Sequence, residues 1–225
     1  MTKRRPENYY ELLGDAFNEY MSDYDVSRRI ELMRHMWPSG ASGPMLEVGC
    51  GTGAITRGLL DLTSDLLVTD VSAKLAAQVG SILRLTHRQA DATQLPFESN
   101  SFGTVFSSEC IEHTPNPRLA IQEMLRVCQP GGYLLITTPN RLWYPVVRLA
   151  QVTRLRKFQG NELFLSITDL VDAAEEHGKV VAIGGCHLLP WQLPGAKRWL
   201  PYLDAYGAYL YRAMVNVAIC VRKNP

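Results

Sequence analysis

The stretch Leu46-Glu47-Val48-Gly49-Cys50-Gly51-Thr52-Gly53 constrains this chain more than any other. A short apolar strand over residues 45–48 runs into glycines at three alternate positions, and a helix over 54–60 follows. Glycine lets a backbone turn tightly and lets a ligand approach it, while the start of the next helix offers unpaired N–H groups. A dinucleotide fingerprint needs its third glycine three positions after the second; here it comes two positions later. A Walker phosphate loop is excluded because no Gly-Lys-Ser/Thr follows. Glu47 beside the turn disfavours a pyrophosphate and suits a cationic or amine-bearing ligand. The bland alternative is a glycine turn that holds nothing.

Downstream the pattern alternates. Strand signals cover 66–69 (ending at Asp70), 85–89 weakly, 102–107 and 133–138. Between them lie helices over 74–83, opened by Ser72, and 117–128, stopped by Pro130-Gly131-Gly132. Short connections between alternating strands and helices imply parallel pairing, so the expected fold is a doubly wound, Rossmann-like α/β sheet with helices on both faces. Residues 9–37 read as two lead-in helices, the second with a stripe of Ile30, Met33 and Trp37, and turn formers fill 38–44. Beyond Pro139 the expectations are a basic helix over 141–157, a helix over 168–177 opened by Thr168-Asp169, and last strands over 180–183 and 215–221. Residues 189–211, rich in Pro, Trp and Tyr, form a loop and helix over the sheet.

Composition narrows the class. The chain has 225 residues, 46% hydrophobic and 20% charged, with a net charge of +1. That suits one globular domain and excludes a disordered chain. Near-neutral charge argues against a nucleic-acid partner. No apolar run reaches the roughly 18 residues of a membrane span. The basic start Met1-Thr2-Lys3-Arg4-Arg5-Pro6 leads into Glu7 without an apolar segment, so no secretory signal is expected. The five cysteines, Cys50, Cys110, Cys128, Cys186 and Cys220, form no C-x-x-C pair. They read as buried free thiols in a reducing, cytoplasmic compartment.

Two further acids follow strand signals. Asp70 ends the second strand, where a carboxylate can accept hydrogen bonds from ribose hydroxyls, and Asp91 follows the third, where it can face an adenine amino group. Together with Leu125-Arg126-Val127-Cys128-Gln129-Pro130-Gly131-Gly132, the glycine turn, Asp70 and Asp91-Ala92 resemble the signature blocks of class I S-adenosylmethionine-dependent methyltransferases, in that family's order, over about residues 45–140. The resemblance implies a seven-stranded sheet with its last strand antiparallel. It also implies one methyltransferase domain over 1–225: an N-terminal helical lid (1–43), a cofactor half (44–140) and a substrate-side half (141–225). By it, Gly49, Cys50, Gly51 and Gly53 wrap the methionine part of the cofactor, and Glu47 stands near its amino acid end. Asp70, with Val71, holds the ribose; Asp91 and Ala92 meet the adenine; Ser108 borders the same site.

The acceptor side is less specified. Glu109, Glu112 and His113 fall at i, i+3 and i+4, which on one helical turn brings their side chains together. The spacing is similar to the E-x-x-E-H element of quinone-biosynthetic O-methyltransferases and small-RNA 2′-O-methyltransferases. That likeness implies Mg²⁺ or Zn²⁺ held by Glu109, Glu112 and His113. The other reading needs no metal: Glu112 and His113 close the pocket and serve as base or acceptor contact. The expected acceptor is a small molecule methylated at a hydroxyl oxygen. An N- or C-methyltransferase and a non-catalytic binding module are the alternatives. Thr137-Thr138-Pro139-Asn140 and the aromatic, cationic groups of 141–145 lie on the rim where such sheets bind ligands. Arg141, Arg148, Arg154, Arg156 and Lys157 suit either peripheral contact with an anionic membrane or a solvated helix face. Trp191, Trp199, Tyr202, Tyr206, Tyr209 and Tyr211 read as core or acceptor lid, and His177 and His187 as exposed or core residues. The sequence leaves acceptor identity and oligomeric state open.

Overall fold

The structure, a computed structural model, describes residues 22–153, 162–190 and 195–225. The first lead-in helix and residues 154–157 of the basic helix lie outside these. Helix α1 (Asp23–Met36) leads into β1 (Met45–Val48), α2 (Ala54–Leu59), β2 (Leu66–Asp70), α3 (Ala73–Leu83), β3 (Thr86–Gln89) and β4 (Phe102–Ser108). Then come α4 (Pro117–Val127), β5 (Cys128–Pro139), α5 (Tyr144–Val152), α6 (Ile167–Glu175), β6 (Gly178–Cys186), α7 (Ala196–Asp204), α8 (Gly207–Leu210) and β7 (Asn216–Lys223). Among the described residues the seven strands form one sheet in the order β3-β2-β1-β4-β5-β7-β6. β1 to β5 pair in parallel, while β7 runs antiparallel to both β5 and β6. The doubly wound sheet with a reversed last strand is therefore what the sequence led us to expect.

Alternation along the strands sorts side chains onto two cores. Leu46, Val48, Val105, Leu134 and Ile136 pack with Ile121, Met124 and Leu125 of α4 and Leu170 and Ala173 of α6. Met45, Phe106 and Leu135 point the other way, into Met33 and Met36 of α1, Leu59 of α2 and Val79 of α3. β3 is a polar edge strand, exposed throughout, which explains its weak sequence signal.

Some local expectations needed correction. The strand expected at 133–138 begins earlier: α4 ends at Val127 and β5 already starts at Cys128, which pairs with Phe102 ahead of the Pro130-Gly131 kink. Helix α6 is capped by Ser166, whose hydroxyl accepts the Asp169 N–H, so the cap lies two residues before Thr168. The buried stripe of α1 is Asp25, Arg29, Met33 and Met36, with Ile30 and Trp37 only half-buried at its edge. Four of the five cysteines are buried and Cys110 is half-buried; all are free thiols. Among the described residues no helix is long and apolar enough to cross a membrane.

Candidate active site

The strand order reverses between β1 and β4, and the glycine turn after β1 opens onto that crevice at the carboxyl ends of the strands, where α/β sheets bind ligands. Gly49, Gly51 and Gly53 have φ of 79°, 53° and 77°, in the left-handed region that only glycine enters freely. The turn is tied to β2: the Gly49 and Cys50 N–H groups both donate to the Thr69 carbonyl, at 2.8 and 2.9 Å. Asp70 completes the tie. Its two carboxylate oxygens accept the N–H groups of Gly51 and Ser72, each at 2.9 Å. Burial pushes the Asp70 carboxyl above its ordinary value, and the Ser72, Gly51 and Val71 N–H groups oppose that. With three N–H donors on two oxygens, one oxygen keeps a lone pair for a ligand hydroxyl.

Glu47 lies under the turn. It is buried, its Oε2 has no hydrogen-bond partner, and desolvation pushes its carboxyl up to about 7. An orphaned carboxylate oxygen below a glycine turn fits a ligand that brings an ammonium group. Ser72 caps α3 through the Leu75 N–H. Asp91 is exposed, and its Oδ1 accepts both the N–H and the hydroxyl of Thr93 at 2.7 Å. Ala92 beside it is buried. The Val71 carbonyl accepts the Gln89 amide at 2.9 Å.

Glu109, Glu112 and His113 do not form the expected single face. Glu109 has φ +51°, outside any helix, and only Ile111–His113 make a 3-10 turn. Glu109 bonds Thr137 Oγ1 at 3.2 Å and Asn216 Nδ2 at 2.8 Å, whereas Glu112 bonds Thr138 Oγ1 at 3.2 Å. Thr137 and Thr138 are consecutive on β5 and therefore point to opposite faces of the sheet. That alternation separates the two carboxyls. Among the described residues no group of three His, Cys, Asp or Glu side chains is arranged to hold a metal, so the Mg²⁺ or Zn²⁺ expectation does not fit this geometry. His113 Nε2 stands 3.9 Å from Glu112 Oε1.

Sequence reasoning missed a chain of buried polar groups on the α1 side of the rim. Ser108 Oγ lies 2.8 Å from Thr137 Oγ1, and Arg29 donates to Ser108 Oγ at 3.4 Å. Arg29 also pairs with Asp25 at 2.8 Å, and the other Asp25 oxygen lies 3.0 Å from His187 Nε2. The His187 N–H donates to Asp204, which Arg28 also binds at 3.0 Å. A signal did exist: Asp25 and Arg29 occupy the same i, i+4, i+8 stripe as Met33, and a charged pair on an apolar stripe marks a buried ion pair. His187 is a core histidine and His177 is exposed.

Glu109 is pushed up to about 8 by burial and by the Glu112 carboxyl, with Arg29 and the Asn216 amide opposing and Asp25 adding to the rise. Burial likewise pushes Glu112 up to about 8. With folded-state values above the usual 4.5, the folded chain holds more protons than the unfolded one between about pH 4.5 and about pH 8. This stability is complete below that window and is lost as pH rises through its top. The melting temperature should fall between pH 6 and pH 9, and Glu109→Gln should flatten the decline. Identical pH profiles for the two proteins in differential scanning calorimetry would show that Glu109 does not titrate there.

Comparison with known proteins agrees with this architecture. Residues 46–136 match the methyltransferase domain family. A ubiquinone biosynthesis O-methyltransferase of Xanthomonas oryzae pv. oryzae is 30% identical over 132 residues, 56% of this chain and 52% of that protein. A malonyl-[acyl-carrier protein] O-methyltransferase of Enterobacter lignolyticus is 29% identical over 127 residues, 56% of this chain and 51% of that protein. The chain spans about half the length of these curated relatives. A crystal structure of an S-adenosylmethionine-dependent methyltransferase from Thermotoga maritima shares the fold, with a TM-score of 0.73 at 17% identity, over 98% of this chain and 100% of that one. Fold and glycine turn thus define the class: the chain has the class I S-adenosylmethionine-dependent methyltransferase fold. Within it, residues 46–136 are the part that matches the methyltransferase domain family.

Proposed function

We propose that the chain transfers a methyl group from S-adenosylmethionine to a small-molecule acceptor, at a hydroxyl oxygen. The observation that carries this is the glycine turn locked to Asp70 above the unpartnered Glu47 oxygen. It offers hydroxyl-accepting and ammonium-accepting groups on either side of one turn. The cofactor, when bound, supplies a methyl group made electrophilic by its sulfonium. Glu47 then receives the amino acid end, Gly49 to Gly53 with Cys50 follow the methionine part, and Asp70 with Val71 accepts the ribose hydroxyls. Asp91 and Ala92 border the adenine, and Ser108 borders the pocket from β4.

The chain's own work in the reaction is positioning and proton removal. Glu112 is the base this reading favours, because a carboxyl raised to about 8 matches the affinity of a proton acceptor to neutral pH. His113, less buried than Glu112, is the acceptor contact in this reading. The names of the O-methyltransferase relatives support oxygen as the acceptor atom. A second reading, transfer to an amine, draws on Glu112 alone, since a buried carboxyl suits an ammonium.

Incubation with isotopically labelled methyl donor and a panel of phenols, carboxylic acids and amines tests the activity and its acceptor atom by mass spectrometry. Glu112→Gln should lower turnover about 100-fold or more, the usual scale of general-base loss, with donor affinity unchanged. Loss of donor affinity together with turnover would place Glu112 in the cofactor pocket instead.

A further inference from the structure

Two helical segments flank the rim and leave their apolar sides uncovered. No residue of α5 is buried. Leu142 in the turn before it, then Val146, Leu149 and Val152, are spaced by four, three and three residues and line one helical side. Leu149 is 64% and Val152 74% exposed. Along α7 and α8, Trp199, Tyr202, Tyr206 and Tyr209 repeat the spacing three, four, three, with exposures from 59% to 83%. These four aromatics are not core residues but face solvent, Tyr211 is half-buried, and Trp191 lies outside the described residues. The two segments are fastened together. The Trp143 indole donates to the Ala213 carbonyl at 2.9 Å, and the Asn140 amide donates to the carbonyls of Arg212 and Met214.

Charge decides what such a surface meets. Over residues 141–153 and 195–213 every exposed charged side chain is a cation: Arg141, Arg148, Lys197, Arg198 and Arg212. The acid in these stretches, Asp204, is buried between Arg28 and the His187 N–H. Arg154, Arg156 and Lys157 continue the bias in the sequence. Apolar and tyrosine-tryptophan side chains set among these cations, with Asp169 paired to Arg141 and Glu162 bonded to Gln151 at the edge of α5, suit the interfacial layer and headgroups of an anionic bilayer. We propose that the face made by α5 with α7 and α8 docks on anionic lipid membranes. Docking requires neither methyl donor nor acceptor, so it stands or falls apart from the transfer reaction.

Co-sedimentation of the full chain with vesicles tests it, using phosphatidylcholine alone and phosphatidylcholine mixed with phosphatidylglycerol. About tenfold more chain should pellet with the anionic vesicles, and the excess should vanish as salt screens the surface. The double substitution Arg198→Glu with Arg212→Glu should lower binding about tenfold. Trp199→Ser with Tyr209→Ser should lower it at constant charge, with an unchanged melting temperature showing that the fold survives. Equal binding to neutral vesicles, or binding to neither, overturns the proposal. So does a dimer in sedimentation equilibrium that Trp199→Ser with Tyr209→Ser dissociates, since that assigns the face to a second copy of the chain.

Discussion

Gly49→Ala is expected to weaken binding of S-adenosylhomocysteine by about 100-fold or more. At φ +79° an alanine carries the penalty of the left-handed region, about 1–2 kcal/mol, before any contact is counted. Its Cβ would also stand 2.7 Å from the Cys110 Cβ and collide with the Cys110 sulfur, so the turn or the segment after β4 has to move. Both border the crevice, and displacement of either spoils it. Asp70→Ala should reach a similar loss by another route, because it leaves the Gly51 and Ser72 N–H groups without acceptors. Calorimetric titration reads both variants directly. Wild-type affinity in Gly49→Ala would mean that the ligand does not touch this turn, and the proposed function would fall with it.

The second large effect lies in the polar chain under α1. Asp25→Ala removes the carboxylate that pairs with Arg29 and bonds His187, in surroundings where neither can reach bulk water. Leaving a buried charge unpaired costs about 3–5 kcal/mol. At about 2–4 °C per kcal/mol for a chain of this size, the melting temperature should drop by about 6–20 °C. Arg29 is the more telling partner to change next. Arg29→Met together with Asp25→Leu replaces the ion pair by apolar groups and should recover much of the loss, as buried pairs exchanged whole often do. A single Asp25→Ala variant that melts within a degree or two of the parent would show that α1 does not depend on this pair.

The fold was legible where local signals agreed. The glycine turn and strands of alternating or continuous apolar residues mark β1, β2, β4 and β5, and Ser72 marks the start of α3 as its side chain requires. What sequence reasoning missed depends on long-range placement. Glu109 and Glu112 read as one helical face because spacing alone suggests a helix; the left-handed backbone at Glu109 and the alternation of Thr137 and Thr138 are visible only once β4 and β5 lie side by side. Asn216 attracts no notice in sequence. It joins the rim only because β7 runs backwards and so begins where its neighbours end, bringing its amide to Glu109. Asp25 and Arg29 share the stripe of Met33, but their links to His187 and Ser108 exist only once α1 packs against the strand ends. Composition, likewise, could not say whether the aromatic residues of 195–211 turn inward or outward.

The reversed strand also has a consequence for how the chain assembles. Among the described residues β6 joins the sheet through β7 alone, which pairs with β5 on one side and β6 on the other. During synthesis, β1 to β5 can pair before β6 and β7 emerge, although β1 meets β4 only after β2 and β3 have been made, with Met45 facing Thr104. β6 lacks its strand partner until the residues from Asn216 onward exist, although α6 can already pack on α4 and Gly184 of β6 on Met36 of α1. Closing so distant a pairing is entropically slow. The edge made by β7 and β6 is therefore the last part of the sheet to close, and until it does the apolar side of β5 that pairs with β7 stays open to a chaperone.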